Sequence, residues 1–71
     1  MDLKQLRHFL ALVEYGTYAK ASEAVCLSQS ALTRSIQQLE LQLGVQLFER
    51  GRFGANLTVF GKSALVYIKE M

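Results

Sequence analysis

The chain has 71 residues, which suffice for one small domain but leave little room for a core that also encloses a catalytic pocket. Hydrophobic residues make up 51% of the chain and charged residues 20%, a balance that argues against intrinsic disorder. The net charge of +2 permits a polyanionic partner without requiring one, so the position of each cation matters more than the total.

One cysteine and one histidine are too few for an internal disulfide or a four-ligand zinc site within this chain. We therefore expect no enzymatic activity, no metal and no cofactor. The N-terminus lacks the basic-then-apolar order of a signal peptide, and the longest strongly apolar run, 9–13, is far too short to cross a bilayer. These features predict a soluble, cytoplasmic protein without membrane contact.

Capping signals predict the first helix. Asp2 is a good N-cap residue, Gln5 is placed to complete a capping box, and Gly16 is a natural end point. The helical spacing predicts a buried stripe of Leu3, Leu6, Leu10 and Val13. His8 lies on this helix without an acidic or cysteine partner in sequence reach, so we expect a surface or packing role for it rather than a catalytic one.

A second, shorter helix is predicted to begin after Thr17, its N-cap. Its inward positions are expected to be Tyr18, Ala21 and Val25. Cys26 should form part of the following turn and be buried and inert there. A short turn between two helices, with a polar outer face on the second, is typical of a helix-turn-helix.

The third helix has two chemically different faces. Ser28 is its predicted N-cap and Gly44 its predicted end, and the buried stripe is expected to be Leu32, Ile36, Leu39 and Leu43. The opposite face carries Gln29, Ser30, Thr33, Arg34 and Gln37. Such hydrogen-bonding groups suit base edges and phosphates in a DNA major groove, whereas a solvated face would more usually carry Glu and Lys pairs. An ordinary solvated face is the alternative.

After Gly44 the pattern predicts a hairpin with strands at 47–50 and 55–58. Arg50 and Arg52 lie at its glycine-rich tip, a composition expected of a wing that reaches a phosphate or the minor groove. A solvated β-turn with incidental arginines is the alternative.

A last helix should begin after Thr58 and pack Leu65 and Ile68 inward. No C-cap signal follows before Met71, so we expect this helix to be truncated rather than complete. Because so small a domain cannot bury every side of a terminal helix, at least one of three residues is expected in an exposed dimer stripe. These residues are Tyr67, Ile68 and Met71.

Residues 28–36 and 43–50 read SQSALTRSI and LGVQLFER, and in combination they resemble the N-terminal DNA-binding domain of LysR-type transcriptional regulators. The resemblance covers nearly the whole chain. It implies a mainly α, winged helix-turn-helix fold with a three-helix core, a two-stranded β wing and the start of a C-terminal linker helix. The DNA-binding domain would then occupy 1–58 and the start of the linker and dimerisation helix 59–71.

The same resemblance implies double-stranded DNA, as an interrupted inverted repeat, as the partner. It implies a homodimer formed through the last helix, weakened here by truncation, and a small-molecule effector bound only by a C-terminal domain absent from this chain. The residues assigned to DNA are Ser28, Gln29, Ser30, Thr33, Arg34, Gln37, Arg50 and Arg52.

Several positions depart from the family pattern, and two of them bear on the DNA contacts. Ser30 stands where proline is frequent, and Phe53 stands where the family usually places a wing arginine, with Arg52 one position earlier. The wing contact is therefore less defined by the resemblance than the helix contacts are. Two other functions fit the fold: a winged-helix module that binds protein, and the DNA-binding domain of a molybdate-responsive regulator.

Overall fold

The computed structural model describes residues 2–52 and 54–70, which form four helices and a two-stranded antiparallel sheet. The helices are α1 (Leu3–Tyr15), α2 (Tyr18–Ala24), α3 (Gln29–Leu43) and α4 (Val59–Lys69), and the strands are β1 (Phe48–Gly51) and β2 (Gly54–Leu57). Helices α1, α2 and α3 pack on one another, and the sheet extends from them as a wing. The predicted mainly α, winged helix-turn-helix architecture is confirmed.

All four predicted N-caps are present. They are Asp2, Thr17, Ser28 and Thr58. The capping box of α1 is complete, because Gln5 N donates to Asp2 Oδ1 at 2.8 Å and Asp2 N donates to Gln5 Oε1 at 3.1 Å. Gly16 and Gly44 end α1 and α3 with φ values of 79° and 73°, in the left-handed region that glycine adopts without steric cost.

The predicted stripe of α1 is wrong at Leu3 and Leu10, whereas Val13 packs against the core as predicted. The fully buried residues are Phe9 and Leu12, whereas Leu3 is 71% exposed and Leu10 is also exposed. The Phe9 ring packs against Phe48 of the wing, with ring centroids 5.4 Å apart. The face of α1 centred on Phe9 and Leu12 is therefore the one that packs into the core, and Leu3 and Leu10 lie outside it.

The buried face of α3 agrees with the predicted stripe except in the last turn of the helix. Leu32, Ile36 and Leu39 are at most 1% exposed, but Leu43 is 42% exposed, so the prediction is wrong there. The chain turns at Gly44, and Leu47 takes the buried position instead. His8 of α1 is half-buried, with Nδ1 2.6 Å from Ser35 Oγ, which gives it a packing role between α1 and α3.

Cys26 is exposed rather than buried, and it has a positive φ of 59°. This left-handed residue reverses the chain so that Leu27 N donates to Ser22 O at 2.9 Å. Leu27, rather than Cys26, is partly covered at the turn.

In α4, Leu65 and Ile68 pack against the core as predicted, and Tyr67 is 71% exposed. Met71 lies outside the described residues. No helix in the described ranges is long and apolar enough to cross a bilayer.

Candidate nucleic-acid interface

The outer face of α3 is open to solvent. Gln29, Ser30, Arg34 and Gln37 are exposed and Thr33 is half-buried. Their direction follows from the buried stripe, because a helix that packs one face into the core must present the opposite face outward. Ser28 begins this helix, and its Oγ accepts from Ala31 N at 3.1 Å. Part of its hydrogen-bonding capacity is therefore used by the cap.

The wing is a short hairpin whose register pairs Phe48 with Leu57 and Gly51 with Gly54. Each strand is displaced by one residue at both ends from its predicted position, β1 toward the C-terminus and β2 toward the N-terminus. Arg50 is exposed on β1, and Arg52 is exposed at the turn. Phe53, which occupies the family's usual arginine position, lies outside the described residues.

Two open hollows lie between α3 and the wing. The first, of about 280 Å³, is lined by residues that include Gln29, Thr33 and Arg50. The second, of about 300 Å³, is lined by residues that include Thr33, Gln37 and Arg50. The hollows share Tyr18, Thr33, Arg50 and Ala55. We call the two together the helix–wing cleft.

The structure thus brings together four of the eight sequence-predicted residues. Gln29, Thr33, Gln37 and Arg50 line the helix–wing cleft. The other four, which lie on the same two elements but outside its lining, are Ser28, Ser30, Arg34 and Arg52.

Sequence reasoning missed Tyr18 and Glu40 as members of the cleft. Tyr18 was placed among the inward residues of the second helix, and its ring does pack against the core. Glu40 carried no local signal, because its partners are backbone groups of a later segment.

The Glu40 carboxylate joins α3 to the start of the wing. Its Oε2 accepts from Leu47 N at 2.7 Å and from Phe48 N at 3.2 Å. On the other strand, Ala55 N donates to Gly16 O at 2.9 Å. These bonds hold β1 against α3 and β2 against the loop after α1, so the position of the wing relative to α3 is set by the fold.

We expect Glu40→Gln to lower the free energy of unfolding by about 1 kcal/mol, because a neutral amide oxygen is a weaker acceptor than a carboxylate for two backbone amides. Urea denaturation measures the change. Glu49→Gln is the matched control, since Glu49 is exposed on β1 and should change stability by less than about 0.5 kcal/mol. Equal losses in the two variants would contradict a specific role for Glu40.

The hydroxyl of Tyr18 lies in a mixed electrostatic environment. Burial raises its pKa from the ordinary value, the nearby Glu40 carboxylate raises the pKa further, and Arg50 opposes both. The net effect raises the pKa of Tyr18, so the hydroxyl remains a neutral hydrogen-bond donor at physiological pH.

Residues 3–62 match the family described as bacterial regulatory helix-turn-helix protein, lysR family. The chain belongs to the LysR family. Of the two regulator families considered from the sequence, this is the one that the match supports. The arrangement of the helix-turn-helix and wing described above is therefore that of a LysR-type domain.

The LysR family relatives are longer proteins. The SDS degradation transcriptional activation protein of Pseudomonas sp. is 51% identical over 70 residues, which cover 99% of this chain and 23% of that protein. The HTH-type transcriptional regulator BenM of Acinetobacter baylyi is 49% identical over 51 residues, covering 72% of this chain and 17% of that protein. The chain thus spans less than a quarter of the length of these relatives.

Solved LysR-type structures have the same fold. The CbnR DBD–DNA complex superposes with a TM-score of 0.91 at 38% identity, covering 99% of this chain and 80% of that chain. A complex of the BenM DBD with catB site 1 DNA superposes with a TM-score of 0.91 at 40% identity, covering 99% of this chain and 79% of that chain.

Proposed function

We propose that this chain is the DNA-binding part of a bacterial transcriptional regulator and that it binds duplex DNA in a sequence-specific manner. In this proposal α3 enters the major groove, while the wing contacts the phosphate backbone or the adjacent minor groove. The observation that supports this proposal most directly is the helix–wing cleft, in which neutral hydrogen-bonding side chains of α3 lie beside a wing arginine. The two related DNA complexes of the same fold support it.

The side chains of the site suit two different roles. Gln29, Thr33 and Gln37 carry amide and hydroxyl groups that suit base edges, and a glutamine can bond adenine through two hydrogen bonds. The remaining residues suit the DNA backbone, because cations and small hydroxyls bind phosphate oxygens. These are Ser28, Ser30, Arg34, Arg50 and Arg52.

Useful specificity requires two copies on an inverted repeat, because one recognition helix reads only a few base pairs. We therefore propose a homodimer through α4, whose exposed apolar residues are Val59, Phe60, Val66 and Tyr67. Residues 59–71 would begin the dimerisation helix, and a small-molecule effector would bind outside these 71 residues. The regulator would act in the cytoplasm without enzymatic activity.

A test of specificity begins with selection of a preferred duplex from a randomised pool by the 71-residue chain. We expect Gln29→Ala to weaken binding to the selected duplex by roughly 10-fold and binding to random duplex only slightly, because it removes a base contact. Arg50→Ala should weaken both by a similar factor, because phosphates are common to all sequences. Fluorescence anisotropy measures the six affinities of the unchanged chain and the two variants for the two duplexes.

Two results would contradict the proposal. Equal losses on both duplexes for Gln29→Ala would remove this residue from the base-reading group. Failure to enrich any sequence from the pool would argue against sequence-specific binding and favour the protein-binding module.

A further inference from the structure

Tyr18 lines the helix–wing cleft, and its hydroxyl has no hydrogen-bond partner among the residues that the structure describes. Tyr18 lines both hollows, together with Thr33 of α3 and Arg50 of β1. Its ring is half-buried and packs against the core, which limits its movement. Among the described residues, no hydrogen bond from its hydroxyl is present, and no side-chain oxygen or nitrogen is both fully buried and unpaired. The hydroxyl is therefore accessible from the cleft.

The chemistry of this position suits an anionic oxygen. The phenol is a neutral donor at physiological pH even at its ordinary pKa of 10.0, and burial and Glu40 raise that pKa further. Glu40 would repel an anion, but its Oε2 is already bound to two backbone amides and the Arg50 guanidinium adds positive charge to the same cleft. A fixed donor beside a cation is an arrangement that binds phosphate oxygens on nucleic-acid backbones.

We propose that the Tyr18 hydroxyl donates a hydrogen bond to a phosphate oxygen of the DNA strand that enters the helix–wing cleft, next to the phosphate contact of Arg50. This inference rests on the proposed DNA-binding function and adds α2 to the elements that contact DNA. The ring anchors the hydroxyl to the domain core, so the contact requires no ordering of a flexible side chain when DNA binds.

Tyr18→Phe removes the hydroxyl and leaves the ring in place. We expect it to weaken binding by roughly 5-fold, both on a single half-site taken from the selected duplex and on random duplex. The two losses should be equal because a lost hydrogen bond to a phosphate does not depend on sequence. The slope of log K against log salt should stay unchanged, since a neutral donor releases no counterion, whereas Arg50→Ala should reduce the slope by about 0.9.

Tyr15→Phe is the matched control. It makes the same chemical change at the end of α1, where Tyr15 is 44% exposed and lines neither hollow of the cleft. On a single half-site, which one copy of the domain occupies, this variant should bind as tightly as the unchanged chain. Thermal unfolding of both variants checks that the fold is preserved.

Single methylphosphonate substitutions along the half-site identify the phosphate. Where the neutral linkage replaces the phosphate that Tyr18 contacts, the roughly 5-fold difference between the unchanged chain and Tyr18→Phe should shrink, because the remaining P=O oxygen is a weaker acceptor than an anionic phosphate oxygen; elsewhere the difference should remain. No loss in Tyr18→Phe, a loss confined to the selected sequence, or a difference that is undiminished on every methylphosphonate probe would overturn the proposal. If the unchanged chain binds no duplex at low salt, the DNA-binding function itself fails, which is a separate result.

Discussion

Replacing Gly61 by alanine should lower the free energy of unfolding by about 2 to 3 kcal/mol, although alanine is intrinsically favoured over glycine within a helix. Gly61 is the buried residue of α4, and a Cβ atom there would overlap the carbonyl oxygen of Leu47 and lie 2.7 Å from Leu57 Cδ2. The Leu47 carbonyl cannot withdraw easily, because it accepts from Thr58 N at 3.0 Å. The side chain must therefore push α4 away from the wing.

Urea denaturation of Gly61→Ala and Ser63→Ala measures this effect on one helix. Ser63 is exposed on α4, so its replacement by alanine should stabilise the domain by about 0.5 kcal/mol through helix propensity alone. The opposite signs of the two changes separate close packing from propensity. An unchanged or increased stability of Gly61→Ala would mean that α4 does not lie tightly against the segment before β1.

The limits of the helices were predictable because they depend on local chemistry. Asp2, Thr17, Ser28 and Thr58 each accept a hydrogen bond from a backbone N–H three residues later, a contact determined within one turn. The outer face of α3 was predictable for a similar reason, since the spacing of its buried residues determines which side chains point outward.

The interior of the domain was less predictable, because it depends on contacts between distant segments. The sequence pattern around Leu3 and Leu10 is helical, but the choice of buried face depends on Phe9 meeting Phe48 of the wing. Likewise, Cys26 is exposed because of its left-handed backbone in the turn, a conformation for which its residue type gives no signal.

The candidate site divides in the same way. The sequence pattern singled out four residues that line the cleft, which are Gln29, Thr33, Gln37 and Arg50. Tyr18, by contrast, joins them only because β2 lies beside the α1–α2 loop. Ala55 N donates to Gly16 O there, across 39 positions of the chain. A contact of this kind has no periodic signature in the sequence, and so the complete helix–wing cleft required the structure.

A salt titration of the 71-residue chain tests the central claim, that α3 and the wing bind the charged backbone of duplex DNA while α3 also reads its sequence. Arg34, Arg50 and Arg52 can each neutralise one phosphate, so log K should fall with log salt with a slope of about −2.7 per domain, or roughly 40-fold between 50 and 200 mM. This dependence arises from the release of condensed counterions, which binding to an uncharged surface does not produce.

The titration is performed on the selected and the random duplex, with affinity measured by fluorescence anisotropy at four or more salt concentrations. We expect two lines of similar slope, because the phosphate contacts are shared, separated by a constant offset at every salt concentration, because base contacts are made only on the selected sequence. A flat dependence, or two lines that coincide, would contradict sequence-specific DNA binding by this domain.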